Sequence, residues 1–224
     1  MISLELFNQK EIRNQIRKMI FQGETPTLSS LKPFLFEASK INEQRYGKIL
    51  ELLLAYLSIE KLKAFSASFG IQIKNAPNGG DFDCIANFQN EIIYFEAKSG
   101  NINNLKAASI KEFFKRHIFL APFASILFLD YEGGNNKLDV IINQFKNQHL
   151  GTRQIEEIRK ITSENKKLYV IESDVIILDI HNDGNILSNL RFALQYIHRY
   201  LAFQKNLYFS QITPEQLGYN SVIL

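Results

Sequence analysis

Two alternating runs, Asp81–Phe88 and Glu91–Lys98, meet at Gln89-Asn90 and constrain this chain more than any other stretch. Successive side chains of a strand point to opposite faces, so alternate residues share a face. Phe82, Cys84, Ala86 and Phe88 then make one apolar face of the first run, with Asp81 and Asp83 turned the other way. In the second run Ile93, Phe95 and Ala97 share a face, against Ile92, Tyr94, Glu96 and Lys98. Two such runs joined by a two-residue turn predict a β-hairpin. A turn centred on Gln89-Asn90 pairs Phe88 with Glu91, Ala86 with Ile93 and Cys84 with Phe95. Continued, the same register sets Asp83 opposite Glu96 and Asp81 opposite Lys98.

The segments around the hairpin predict an α/β fold. Asn42–Ile59 repeats Tyr46, Ile49, Leu50, Leu53, Leu54 and Leu57 at steps of three and four, a helical stripe. A short strand at Ile71–Lys74 follows, then the turn Ala76-Pro77-Asn78-Gly79-Gly80. Beyond the hairpin come a helix near Leu105–Phe119 and a continuous apolar strand, Ser125–Asp130, with Gly133-Gly134 behind it. Further on the pattern predicts a helix at Leu138–Gln148, a polar helix at Arg153–Ser163 and a buried strand at Leu168–Ile180. A turn at His181–Asn185 and a closing helix, Leu187–Gln204, complete the chain, and one more helix is expected at Lys10–Phe21. The middle reads helix, three strands, helix, strand, with no linker that would divide it.

Composition narrows the function classes. At 224 residues, 46% apolar and 22% charged, the chain suits one globular domain rather than disorder. One cysteine, Cys84, excludes a disulfide framework and any four-cysteine zinc or iron–sulfur site within one chain. It is expected to be a buried small hydrophobe and suits a reducing compartment. No apolar run approaches the roughly 20 residues of a membrane span, and the first residues carry no signal-peptide core, so a soluble cytoplasmic protein with no membrane partner is expected. A net charge of +3 permits anionic partners without demanding them. Neither a phosphate-binding loop nor a dinucleotide fingerprint occurs.

The chemistry gathers on the hairpin. Opposed side chains on one face have Cβ atoms about 5 Å apart, so Asp83 facing Glu96 is repulsive on its own. A hard divalent cation such as Mg²⁺ removes that penalty, being held by one or two carboxylates together with waters or substrate phosphate. Lys98, on the face of Glu96, adds a compact cation able to orient an attacking water or stabilise charge on a phosphate.

Gly80-Asp81-Phe82-Asp83, twelve intervening residues, then Glu96-Ala97-Lys98 resembles the PD-(D/E)XK nuclease superfamily. The resemblance covers about Asn42 to Asp130, with Phe82 standing where the superfamily usually has proline. It implies a restriction-endonuclease-like αβββαβ core over residues 41–130, a central mixed sheet flanked by helices. Residues 1–40 would then form an N-terminal helical extension and 131–224 a C-terminal α/β extension for recognition or dimerisation. It implies metal ligation by Asp83 and Glu96, catalysis assisted by Lys98, and Mg²⁺ as cofactor with Mn²⁺ substituting. Gly47-Lys48-Ile49-Leu50-Glu51 resembles the helix motif by which many members add a further glutamate, here Glu51. Glu43 is the second candidate for that role, and Asp81 a secondary ligand or a partner of Lys98. The basic residues Lys111, Lys115 and Arg116 fall where members contact the phosphate backbone, although a solvated helix face also explains them. Expected from this is an endonuclease of restriction or defence type acting on nucleic acid, DNA before RNA, with a homodimer plausible. The alternatives are a binding or assembly module without turnover, a ribonuclease, or a ligand-activated effector. Asp130 reads as a turn-initiating residue and the four histidines show no metal-ligand spacing.

Overall fold

The computed structural model describes residues 45–201 except 77–80, 102–104, 133–135, 144, 147–148, 151–152, 164–165, 173 and 180–184. The expected helix at Lys10–Phe21 and the candidate Glu43 lie outside the described residues.

Helix α1 (Arg45–Glu60) leads to strand β1 (Ser66–Gln72), then β2 (Asp81–Phe88) and β3 (Glu91–Asn101). Helix α2 (Ala107–Leu120) crosses to β4 (Ala124–Glu132). After α3 (Asn136–Asn143) come two short strands, β5 (His149–Leu150) and β6 (Arg153–Gln154). The chain continues through β7 (Ile158–Ser163), β8 (Lys166–Ile171), β9 (Val175–Asp179) and α4 (Ile186–Tyr196), whose end relaxes into a π-turn over Ile197–Leu201. Seven strands form one mixed sheet in the order β1-β2-β3-β4-β9-β8-β7. β3, β4 and β9 run parallel, and the outer neighbours are antiparallel.

Both faces of the sheet are covered, giving three layers. On one face Leu50, Leu53, Leu54 and Leu57 of α1 and Ile186, Leu190 and Ala193 of α4 pack on Cys84, Ala86, Phe95 and Phe128. On the other, Ile110, Phe113 and Phe114 of α2 and Leu138 and Ile142 of α3 cover Tyr94, Leu127, Leu129 and Ile177. Strands β4 and β9, buried on both faces, carry the unbroken apolar runs that such positions require. Among the described residues no helix is long and apolar enough to cross a membrane.

The hairpin register is the one the alternation predicts: Phe88–Glu91, Ala86–Ile93 and Cys84–Phe95 face each other. Gln89 and Asn90 take φ of 52° and 68°, the doubly left-handed turn whose twist matches a two-residue hairpin.

Four expectations are corrected. Leu168–Ile180 is two antiparallel strands rather than one, because Glu172 turns the chain at φ 51°. Arg153–Ser163 contains β6 and β7, not a helix; β7 is the sheet's outer strand, half exposed along its length, so little apolar patterning betrays it. Asp130 starts no turn but lies buried within β4, opposite Ser99 of β3. Phe82 does not share the face of Cys84: it joins the opposite core, edge-on to Tyr94 at 5.3 Å and stacked near Phe119 at 6.3 Å. The alternation breaks at Asp83, beside Gly70 of β1, whose φ of 59° supplies the local twist.

Candidate active site

The β2–β3 ladder ends at Cys84–Phe95, one pair short of Asp83 and Glu96. Beyond that point β2 turns away. The Ala97 N–H, which would otherwise serve the ladder, donates to Asp83 Oδ2 at 2.8 Å. A strand end opened in this way needs its backbone donors satisfied, and here a side-chain carboxylate does so. The break that moves Phe82 to the far core therefore also aims Asp83 across the hairpin.

Glu96 is the most deeply placed charge of the site, 1% exposed. Lys98 Nζ donates to its Oε1 at 2.5 Å. Arg116 Nη1, from α2, donates to Oε1 at 2.8 Å and Oε2 at 2.7 Å, and the Tyr94 hydroxyl donates to Oε2. Burial pushes its pKa upward, but Lys98 and Arg116 outweigh that and hold it below the ordinary glutamate value. Asp83 goes the other way. Burial, then the neighbouring Glu96 charge, raise it to about 7 against the pull of Lys98 and the Ala97 N–H. The two carboxylates thus behave as a pair, with Glu96 ionised and Asp83 carrying the proton that titrates near neutrality.

Glu51 reaches the site from the α1 side of the sheet. Only 6% exposed, it accepts from Lys48 Nζ at 2.9 Å, and burial raises its pKa. Lys48 also donates to Asp81 Oδ2 at 3.3 Å. Asp81 is lowered by hydrogen bonds, first from Gln72 and then from Lys48. The expected pairing of Asp81 with Lys98 is therefore not formed. β2 has left the hairpin register by that point, so Asp81 belongs to β1 and α1 while Lys98 turns to Glu96.

The structure brings together Asp83, Glu96 and Lys98, with Glu51 and Asp81 linked through Lys48. Of the three α2 cations expected at the phosphate backbone, Arg116 is instead bound to Glu96; Lys115 pairs with Glu112 at 3.0 Å and Lys111 is exposed. Sequence reasoning missed Lys48, although it stands inside the Gly47–Glu51 motif. It also missed the Arg116 clasp, which no local spacing could reveal because its partner lies 20 residues away. Cys84 is fully buried and burial pushes its thiol upward, as expected of a core residue. His117, buried on α2, meets Ser125 Oγ at 2.9 Å through Nδ1 and lies 3.6 Å from Asp174 through Nε2. Ser125 is 0% exposed, so this serine–histidine–aspartate set ties α2 to the sheet and offers no nucleophile to a substrate.

Among the described residues no three His, Cys, Asp or Glu side chains gather closely enough to share one metal ion. No family model, curated protein or solved structure matches this chain.

Proposed function

We propose that the chain is a metal-dependent nuclease with a restriction-endonuclease-like core, hydrolysing phosphodiester bonds with Asp83, Glu96 and Lys98. The single observation that carries this reading is the Asp83–Glu96–Lys98 cluster at the opened end of the hairpin, where two adjacent carboxylates keep a proton on Asp83 up to about pH 7. Such a pair is costly for stability and is the kind of hard-oxygen donor set that suits Mg²⁺. The element order α1-β1-β2-β3-α2-β4 supports the same reading.

The donors fit a hard divalent ion in kind: Asp83 and Glu96 would hold it, with Glu51 approaching from α1. Bound there, the ion supplies Lewis-acid stabilisation of a phosphoryl oxygen. The chain's own residues do the rest. Lys98 Nζ places a positive charge beside Glu96, able to donate to a phosphate oxygen or fix an attacking water. Arg116 neutralises Glu96 from behind and keeps it ionised. Lys48 ties Glu51 to Asp81 beside the pair.

A second reading, a nucleic-acid-binding module without turnover, draws on one observation: both oxygens of Glu96 are already engaged by Lys98, Arg116 and Tyr94. One experiment separates them. Supercoiled plasmid, linear duplex, single-stranded DNA and RNA are incubated with wild type, Asp83→Ala and Lys98→Ala in Mg²⁺, Mn²⁺ or EDTA. The nuclease reading expects metal-dependent cutting that both substitutions abolish, and the substrate cut identifies DNA or RNA. Cutting that survives both substitutions sinks the site, and intact binding without cutting favours the module.

A further inference from the structure

Two contiguous cavities run along the outer side of α4. The first, of about 390 Å³, is lined by Lys166 at the start of β8 and by Arg191, Phe192 and Gln195 of α4. The second, of about 310 Å³, shares Phe192 and Gln195 and continues to Tyr196 and Arg199. Three cations and two aromatic rings line this groove, and among the described residues no carboxylate does. Interleaved cations and aromatic rings form the usual surface for a nucleic-acid strand, the cations meeting phosphates and the rings meeting bases.

The sheet register places the groove relative to the candidate active site. Lys98 faces Leu129, Leu129 faces Asp179, and Asp179 faces Lys167 beside Lys166. Lys98 and Lys167 therefore share one transverse row of the sheet, at the end where β3, β4 and β9 finish; Leu129 of this row faces α2 and α3, and the groove lies on the α4 face opposite. Three strand spacings of about 4.8 Å separate the two lysines, about 14 Å in all. Charge also argues for an external occupant. Residues 1–44 carry six Lys and Arg against five Glu, and residues 202–224 one Lys against one Glu, so neither end of the chain is the anionic segment this groove suits.

We propose that the α4 groove binds the phosphate backbone of a nucleic-acid strand. The identity of the occupant rests on the nuclease reading; the groove's affinity for a polyanion does not. The test is fluorescence anisotropy with labelled single-stranded DNA, duplex DNA and RNA, each about 20 nucleotides long, in EDTA over about 50–200 mM salt. The variants are Arg191→Ala/Arg199→Ala, the charge reversal Arg191→Glu and, as a comparison, Lys74→Ala at an exposed lysine outside the groove, each with its thermal melt. The groove predicts that the double variant, with an unchanged melt, binds at least about tenfold more weakly, and that its slope of log K against log salt is shallower by about 2. Arg191→Glu should weaken binding further, and Lys74→Ala should bind as wild type does. Binding by the double variant within twofold of wild type at an unchanged slope overturns the groove, as does wild type that binds none of the probes. Metal-dependent cutting with groove variants that bind normally would leave the nuclease standing and remove the groove. Groove-dependent binding with no cutting in any metal would do the reverse.

Discussion

Asp83→Asn isolates the electrostatic cost written into the candidate site. In the folded chain Asp83 titrates near 7, against an ordinary 3.8, because burial and the Glu96 charge both oppose its ionisation. A carboxyl raised in this way favours folding while it is protonated, so its contribution is fully present below about pH 4 and is lost as pH rises through 7. The gap of about three pH units corresponds to about 4 kcal/mol once ionisation is complete. Asparagine keeps an oxygen to accept the Ala97 N–H, is close to the shape of aspartate, and cannot ionise. Urea unfolding of both proteins between pH 3.5 and 8.5 in EDTA should show them nearly equal at the acid end, the variant gaining by up to about 4 kcal/mol at the alkaline end. Taking the difference cancels the other carboxylates, including Asp81 and Asp139, which move in the opposite direction. A stability difference that stays flat across this range would refute the claim that the two carboxylates repel.

The remaining predictions concern the supports of the site and the hairpin. Arg116→Met strips the guanidinium whose Nη1 serves both oxygens of a buried Glu96 and should destabilise the fold by about 3 kcal/mol in chemical denaturation, because a charge is left under-compensated at 1% exposure. Gly70→Ala should cost about 1 kcal/mol, read from the thermal midpoint. The added Cβ would meet Lys48 Nζ at 3.7 Å and Glu51 Oε2 at 3.8 Å, ordinary contacts, so backbone strain at φ 59° is the whole penalty. Gln89→Asn with Asn90→Gly should stabilise by about 0.5–1 kcal/mol, since both positions hold positive φ that these residues accept more readily. A lowered midpoint in that variant would contradict the assigned turn.

What the sequence made legible follows from the range of each interaction. The hairpin register needed only a two-residue turn and strict alternation, both local, and every pair from Phe88–Glu91 to Cys84–Phe95 stands where alternation places it. The side exchange of Phe82 was hidden because its cause, Gly70, sits on another strand. The turn at Glu172 was passed over because its polar triplet, Glu172-Ser173-Asp174, holds no Gly or Pro and sits between two apolar runs that both become buried strands. β7 failed for the opposite reason, an outer strand with too few apolar positions to carry a period of two. In the candidate site, Asp83, Glu96 and Lys98 were readable from their spacing along the two strands, although the regular register stops one pair short of Asp83. Arg116 and Lys48 were not, since a cation on a helix face reads as solvated until the carboxylate opposite it is known.

Counting charge at the site leads to a final prediction. Glu51, Asp81, Asp83 and Glu96 face three cations, Lys48, Lys98 and Arg116, so the described cluster carries one carboxylate more than it can neutralise. The proton retained by Asp83 near pH 7 makes up that difference. On the nuclease reading a divalent ion displaces the proton, and the cluster passes from balanced to a single net positive charge. One phosphodiester carries one negative charge, so the loaded site matches one phosphate and the empty one does not attract it. Mg²⁺ binding should then release about half a proton per chain at pH 7 and almost none at pH 8.5, where Asp83 is already ionised. Titration calorimetry at pH 7 in two buffers of different ionisation enthalpy measures this directly. Heats that agree between the buffers, or binding undiminished in Asp83→Asn, would show that the ion is not held by this pair.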